Sequence, residues 1–305
     1  MTVLFFKPVV VILLLSLLAS VTSTPTAERR ALKYPRLNPA PDSISNKTYP
    51  PRPHELPPFD PLKPKGGVSF TNTKWIKTFD RKFSKLIWAY NWDSAVPDGM
   101  PDGIEYTPML WGAGPQHTTN WKVNAQNAIN RGADYILGFN EPDVCGSGTS
   151  CISPKAAADA WRTHIQPFRD QAWLGSPAIT AGGKEWLKSF LIECSDCDID
   201  FVNLHWYDNQ CAWGWFETYM QSIKDVIGNR TIWVTEFNAG AFTQPKATED
   251  QQITFLKNVI PWMDKTDWIE RYAWFMAEPN FDGGSLTSSN GQPTKLGQYY
   301  AFTQQ

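Results

Sequence analysis

The chain holds only four histidines and five cysteines, and no cysteine precedes Cys145. So small a supply of nitrogen and sulfur ligands leaves little from which to build a transition-metal centre. Cys194-Ser-Asp-Cys197 has the spacing of a zinc ligand pair, but neither a second such pair nor paired histidines accompany it. No metal and no cofactor is expected. Basic clusters are missing as well. The 28 Lys and Arg are offset by 30 Asp and Glu, a net charge of −2, and phosphate binding needs a concentrated cationic face. No nucleic-acid partner is expected. There is no Gly-x-Ser-x-Gly elbow to carry a serine nucleophile, and no Gly-rich phosphate loop follows an apolar run. After the first 23 residues, no apolar segment is long enough to cross a bilayer.

What the sequence has in excess is aromatic: 15 Trp, 10 Tyr and 17 Phe. Rings of this size build cores, and flat rings also suit the apolar faces of pyranose units. At the N-terminus, Lys7 precedes an apolar run from Pro8 to Ala19, and Val21-Thr22-Ser23 supplies small residues. Residues 1–23 therefore read as a secretory signal peptide, which predicts a secreted, extracellular or cell-wall protein with no membrane attachment after cleavage. Export favours disulfides. Cys145 and Cys151 bracket a Gly/Ser-rich turn and are expected to pair, whereas Cys194, Cys197 and Cys211 leave one thiol over and their pairing open.

Residues 24–64 hold Arg29-Arg30, the sequon Asn46-Lys47-Thr48, and ten of the 24 prolines between Tyr34 and Pro64. The composition predicts an extended or disordered pro-segment or spacer. From residue 65 to residue 305 short apolar runs alternate with helical stretches. Strands are predicted at 67–70, 86–92, 106–111, 133–139, 174–180, 201–207, 231–237 and 271–276. Helices are predicted at 119–131, 154–171, 184–193, 215–227 and 249–264. Ser153-Pro154 gives one helix a cap and a first-turn proline. Eight strands alternating with helices over some 240 residues have the rhythm of a (β/α)₈ TIM barrel, with an open doubly wound sheet as the alternative.

In such a barrel the chemistry lies where strands end. Strand four ends Gly138-Phe139-Asn140-Glu141-Pro142, and strand seven ends Trp233-Val234-Thr235-Glu236-Phe237. Each places a Glu directly after an apolar run, a costly position for a charge with no partner. Strands four and seven face each other across a barrel mouth, so a glycosidic bond between them would meet the acid and the nucleophile that retaining glycosidases need. His205 and Tyr207 lie two apart on strand six and face the same way, positioned for one of them to hydrogen-bond Glu236.

Leu137-Gly-Phe-Asn-Glu-Pro-Asp143 and Trp233-Val-Thr-Glu-Phe237, with Trp88-Ala-Tyr-Asn-Trp92, Pro108-Met-Leu-Trp-Gly112 and His205-Trp-Tyr207, resemble glycoside hydrolase family 128. That family consists of clan A barrels acting on β-1,3-glucan. The resemblance spans about residues 66–303. It implies that Glu141 is the acid/base, that Glu236 is the nucleophile, and that Asn140 contacts the sugar 2-hydroxyl. The substrate would be a β-1,3-glucan polysaccharide or oligosaccharide, cleaved by a monomer. Trp274 is expected as the floor under the sugar, Trp92 and Trp111 as platforms for flanking units, and Asn91, beside Trp92 at the end of strand two, as a further substrate contact. A non-catalytic glucan-binding barrel and a transglycosidase are the competing readings.

Overall fold

The structure, a computed structural model, describes residues 63–303. The signal peptide, the sequon at Asn46 and all but the last two residues of the Pro-rich segment lie outside the described residues. The elements run β1 (Gly66–Phe70), β2 (Leu86–Tyr90), β3 (Glu105–Tyr106), α1 (Pro115–Thr118), α2 (Trp121–Asn130), β4 (Tyr135–Ile136), α3 (Pro154–His164), β5 (Trp173–Leu174), α4 (Lys184–Glu193), β6 (Phe201–Asp208), α5 (Trp213–Ile227), β7 (Thr231–Ala239), α6 (Glu249–Lys265), β8 (Ile269–Ala277) and α7 (Lys295–Phe302).

Six strands pair in parallel in the order β3-β2-β1-β8-β7-β6, and β4 pairs with β5. Single bridges close the ring: Met109 to Leu137 joins the β3 and β4 segments, while Gly175 to Phe201 and Ile179 to Leu204 join β5 to β6. The result is the predicted (β/α)₈ barrel. The ladders of β3, β4 and β5 are shorter than their apolar runs suggest. Pro108 and Pro177 lie within those runs, and a proline has no N–H to donate to a neighbouring strand. Helix α3 stops at His164 instead of continuing to Gln171, because Pro167 lies just beyond and its ring would clash with the preceding turn. Ser153 accepts a hydrogen bond from the Ala156 N–H at the start of the same helix. Thr248 and Gln251 form a capping box at the start of α6. Helix α7 was not among the predicted elements. It packs on the barrel through Tyr300, whose hydroxyl donates to Gly67 O at 2.9 Å.

Strand parity divides the apolar residues into two cores. Trp88, Tyr90, Tyr135, Leu137, Phe201, Trp233 and Ala273 fill the barrel interior. Val202, Leu204, Trp206, Val234, Phe237, Tyr272 and Trp274 face the helices. In the interior, the Trp233 ring lies 4.4 Å from Phe201, 4.7 Å from Tyr135 and 4.9 Å from Trp88. The Arg271 guanidinium stacks over Tyr135 and Trp233 at 4.3 and 4.6 Å, with Glu105 as its ion-pair partner at 2.7 Å. The Trp88 ring also requires a glycine on β1. A Cβ on Gly67 would lie 2.2 Å from the Trp88 indole, so β1 must be bare for that ring to fit.

Trp233→Ala removes the ring that joins four strands across the interior. It should destabilise the protein by about 3–5 kcal/mol, seen as a lower urea midpoint with the helical circular dichroism retained.

Candidate active site

The inward positions of β6 are Phe201, Asn203, His205 and Tyr207, a regular alternation that places both ring residues in the barrel mouth. Strand β7 does not alternate regularly. Opposite β6 its register runs Leu204 to Val234 and then His205 to Glu236, and opposite β8 it runs Val234 to Tyr272 and then Phe237 to Trp274. Seen from both neighbours, β7 has one extra residue at Thr235-Glu236. With simple alternation from Trp233, Glu236 would face the helices and Phe237 the interior. The bulge reverses this and aims the carboxylate into the mouth, a recurrent use of bulges.

Glu236 accepts hydrogen bonds from three side chains. Trp92 Nε1–H donates to Oε1 at 2.7 Å, the Tyr90 hydroxyl to the same oxygen at 3.1 Å, and the Tyr207 hydroxyl to Oε2. Burial, and then the Glu236 charge, push the Tyr90 and Tyr207 hydroxyls well above the usual phenol range, so both keep their protons and remain donors. His205 is fully buried between the two glutamates. Its Nδ1 lies 2.9 Å from Glu141 Oε1, and its Nε2 lies 3.4 Å from Glu236 Oε1. Burial alone would lower the pKa of His205. The charge of Glu236 and the hydrogen bond to Glu141 outweigh it and hold the value above the ordinary one. One oxygen of Glu141, one oxygen of Glu236 and a ring nitrogen of His205 lie within 4.8 Å of one another, so the two carboxylates could flank one glycosidic bond.

Glu141 has a left-handed backbone (φ +43°), uncommon for a residue with a side chain and costing about 1–3 kcal/mol. Its N–H donates to Ala178 O at 2.8 Å in the segment after β5, and Asp143, two residues on, binds the Thr180 N–H at 3.0 Å and the Thr180 hydroxyl at 2.5 Å. Asn140 is buried beside it. Its Nδ2 donates to Gly148 O at 2.9 Å, while its Oδ1 is buried with no hydrogen-bond partner among the described residues. The expected Cys145–Cys151 disulfide closes the loop that follows. Cys194 and Cys197 form a second disulfide, which removes the zinc alternative, and Cys211 is free and exposed.

The structure brings Glu141, Glu236, Asn140, His205, Tyr207 and Trp92 together, with Trp111 beside them through its carbonyl, which accepts from the Asn140 N–H at 2.9 Å, and it places Trp274 away from the mouth. Trp274 is 0 % exposed. Its Nε1–H donates to Gly284 O at 2.8 Å, and its ring meets Phe237 edge-on at 5.2 Å in the outer core. It cannot be the floor under a sugar, because Tyr272 and Trp274 occupy the outward parity of β8. The inward residue is Phe275, whose ring lies 5.7 Å from Trp92 and 5.6 Å from Tyr207. Asn91 accepts from the Tyr106 hydroxyl at 2.6 Å and from the Asp93 N–H, so it braces the loop after β2. Trp111 is half-buried against His117, with ring centroids 4.7 Å apart. The sequence reading missed Tyr90, Phe275 and Phe242, the last packed on Tyr207 at 5.1 Å. Tyr90 was recoverable by parity, since it lies two residues before Trp92.

Two carboxylates facing each other at the C-terminal mouth of a parallel eight-stranded barrel define a barrel glycoside hydrolase. The chain belongs to the glycosyl hydrolase catalytic core family, whose profile matches residues 67–300. It is 31 % identical over 241 residues to alkali-sensitive linkage protein 1 of Schizosaccharomyces pombe, covering 74 % of this chain and 43 % of that protein. The chain therefore matches less than half the length of that relative. Among solved structures it resembles a family 128 (subgroup III) curdlan-specific exo-β-1,3-glucanase from Blastomyces gilchristii in complex with glucose, at 33 % identity and a TM-score of 0.70, covering 80 % of this chain and all of that one. It also resembles a family 128 (subgroup I) endo-β-1,3-glucanase from Amycolatopsis mediterranei in complex with laminaritriose, at 28 % identity and a TM-score of 0.65, covering 78 % and 98 % of the two chains.

The raised pKa of His205 fixes the sign of a pH effect. A group whose folded value lies above its unfolded value near 6.5 stabilises the fold fully below that pH, and the contribution is lost as pH rises through the folded value. The destabilisation caused by His205→Gln should therefore be larger at pH 5 than at pH 9 in urea titrations. A cost that is constant or grows with pH would contradict the reading.

Proposed function

We propose that the protein is a secreted β-1,3-glucan hydrolase that cleaves glucosidic bonds with retention, Glu236 acting as nucleophile and Glu141 as acid/base. The observation that carries the proposal is that one oxygen of Glu141 and one oxygen of Glu236 lie within 4.8 Å of each other. Retaining glycosidases hold theirs about 5–5.5 Å apart, whereas inverting enzymes need about 6.5–9.5 Å to admit a water. The surroundings divide the roles. Three donors face Glu236, an arrangement suited to an ionised carboxylate, which only accepts. Among the described residues, the Glu141 carboxylate has one side-chain hydrogen-bond partner, His205, and the titratable imidazole can hold or return a proton.

In the first step Glu141 protonates the leaving O3 as the Glu236 carboxylate forms a bond to C1 and the C1–O3 bond breaks. In the second, Glu141 takes a proton from water as the water oxygen displaces Glu236 from C1. Asn140 Oδ1 is available to accept from the 2-hydroxyl, a contact that strengthens as charge develops on the ring. Phe275, Phe242 and Trp92 supply rings beside the cleavage point. The signal-peptide layout of residues 1–23 and the two disulfides support export, and the β-1,3-glucanases of similar fold support the substrate class.

The two roles are separable by azide. Glu236→Gly should lose nearly all hydrolysis of an activated aryl β-glucoside and, with azide, release the α-glycosyl azide, because azide enters from the face that Glu236 vacates. Glu141→Ala should lose about 10²–10⁴-fold on laminarin and yield the β-glycosyl azide. Exchanged products would reverse the assignment, and full turnover by either variant would end it.

A further inference from the structure

The loop after Glu141 does more than connect two elements. Asn140, Glu141 and Pro142 are consecutive, and each carbonyl accepts from this one loop: Ser150 N–H to Asn140 O at 2.8 Å, Val144 N–H to Glu141 O at 3.4 Å, and Ile152 N–H to Pro142 O at 3.0 Å. The Asn140 side chain is held from the same loop, by Gly148 O. The Cys145–Cys151 disulfide closes the loop between those contacts. Thr149 and Gly146 brace it internally, and the Trp186 indole N–H anchors its exit at Ile152 O, 2.9 Å away. Glu141 itself occupies a left-handed backbone that its own residue type disfavours.

We infer that the disulfide-closed loop 145–151 is a splint that positions Asn140 and Glu141 for the reaction, with Cys145 and Cys151 as positioning residues. The inference rests on the functional reading above. With the bridge open, the loop can leave its three carbonyl contacts, the left-handed Glu141 relaxes, and Asn140 Oδ1 loses its fixed aim at the 2-hydroxyl. The second disulfide, Cys194–Cys197, follows α4 and makes none of these contacts, so it serves as the internal control.

The test compares Cys145→Ser/Cys151→Ser with Cys194→Ser/Cys197→Ser in the full chain. The first pair should lower kcat on the order of 10–100-fold. It should also narrow the preference for an aryl β-glucoside over its 2-deoxy analogue, while the second pair leaves both unchanged. A merely stabilising bridge would lower Tm and leave the 2-deoxy ratio intact, which overturns the inference. Should the first pair fail to fold, a dithiol reductant is applied instead to folded Cys194→Ser/Cys197→Ser. There the disulfide accepts two electrons and two protons as the dithiol becomes a cyclic disulfide. Activity must fall in step with thiol release, and full activity after complete release overturns the splint. Amide exchange at Val144 and Ser150 reads the same loosening without substrate. A protein inactive before reduction whose amides still loosen would therefore count against the functional reading and not against the splint.

A second, independent observation concerns modification. Asn229-Arg230-Thr231 is an acceptor sequon in the turn from α5 to β7. That turn leads into the start of a strand, so it lies at the end of the barrel opposite the mouth. Lys224 Nζ binds Gly228 O and Arg230 O, and Arg230 binds Ile227 O and Ile199 O, which fixes the turn with Asn229 exposed. Asn209, on the catalytic rim before Cys211, has both amide atoms engaged by Asp208 and the Cys211 N–H.

The geometry points to Asn229 as an N-glycan site that leaves the cleft clear. In the transfer, the amide nitrogen bonds to C1 of a lipid-diphosphate-linked oligosaccharide as the C1–O bond breaks. The lipid diphosphate departs, and the amide proton goes to base. The full chain, secreted from a eukaryotic host behind a host leader, should show the Asn229 peptide as Asp after enzymatic deglycosylation in ¹⁸O-water. Asn229→Gln should lose one glycan mass and keep glucanase activity. Unmodified Asn229 in the secreted protein would overturn the assignment.

Discussion

The site depends on keeping a carboxylate inside a barrel whose interior is otherwise aromatic. Glu236 is almost fully buried, and an oxygen of a second carboxylate, Glu141, lies within 4.8 Å of its own. Water cannot supply the lost hydration there, and a buried charge without hydrogen-bond partners is strongly unfavourable. Side chains replace that hydration: an indole N–H, two phenol hydroxyls and the edge of a buried imidazole surround the carboxylate. Their positions follow from strand parity on β2 and β6, so the interior that packs Trp88 and Phe201 lower down presents Tyr90, Trp92, His205 and Tyr207 at the mouth. The donors belong to the same inward rows as the core.

This arrangement explains the unusual backbone around the site. Parity on β7 opposes the required direction of Glu236, and a single inserted residue corrects it while Trp233 stays inside and Phe237 stays outside. On the facing side Glu141 takes a left-handed backbone, held by Ala178 O beneath it and by the loop that follows it. Both carboxylates are thus aimed by local departures from regular geometry. The ladders that β6, β7 and β8 form on either side of the bulge offset the cost of those departures.

The eight-strand rhythm, both glutamates and the inward pair on β6 were legible in the sequence, because each rests on spacing along one strand. Other features were not. The β7 bulge depends on register with both neighbours, which one strand does not reveal. Trp274 was misplaced because ring size was weighed without parity: Tyr272 and Trp274 share one face, and the smaller Phe275 takes the mouth. Strands β3 and β5 read as too long because their apolar runs continue through Pro108 and Pro177, and β4, which lies between them, loses ladder partners with them. Helix α7 escaped notice because it is short and carries Gly297, a poor helix former. A Cβ there would lie 2.0 Å from Leu286 O, so close packing on the barrel requires that glycine.

The central claim is that two carboxylates at this separation work by double displacement. Proton NMR of the anomeric signals during the first minutes of laminari-oligosaccharide hydrolysis tests it most directly, before mutarotation mixes the products. The account predicts that the β-anomer of the newly formed reducing end appears first and the α-anomer grows in later. Initial release of the α-anomer would show a single displacement by water and would contradict the roles assigned to Glu141 and Glu236.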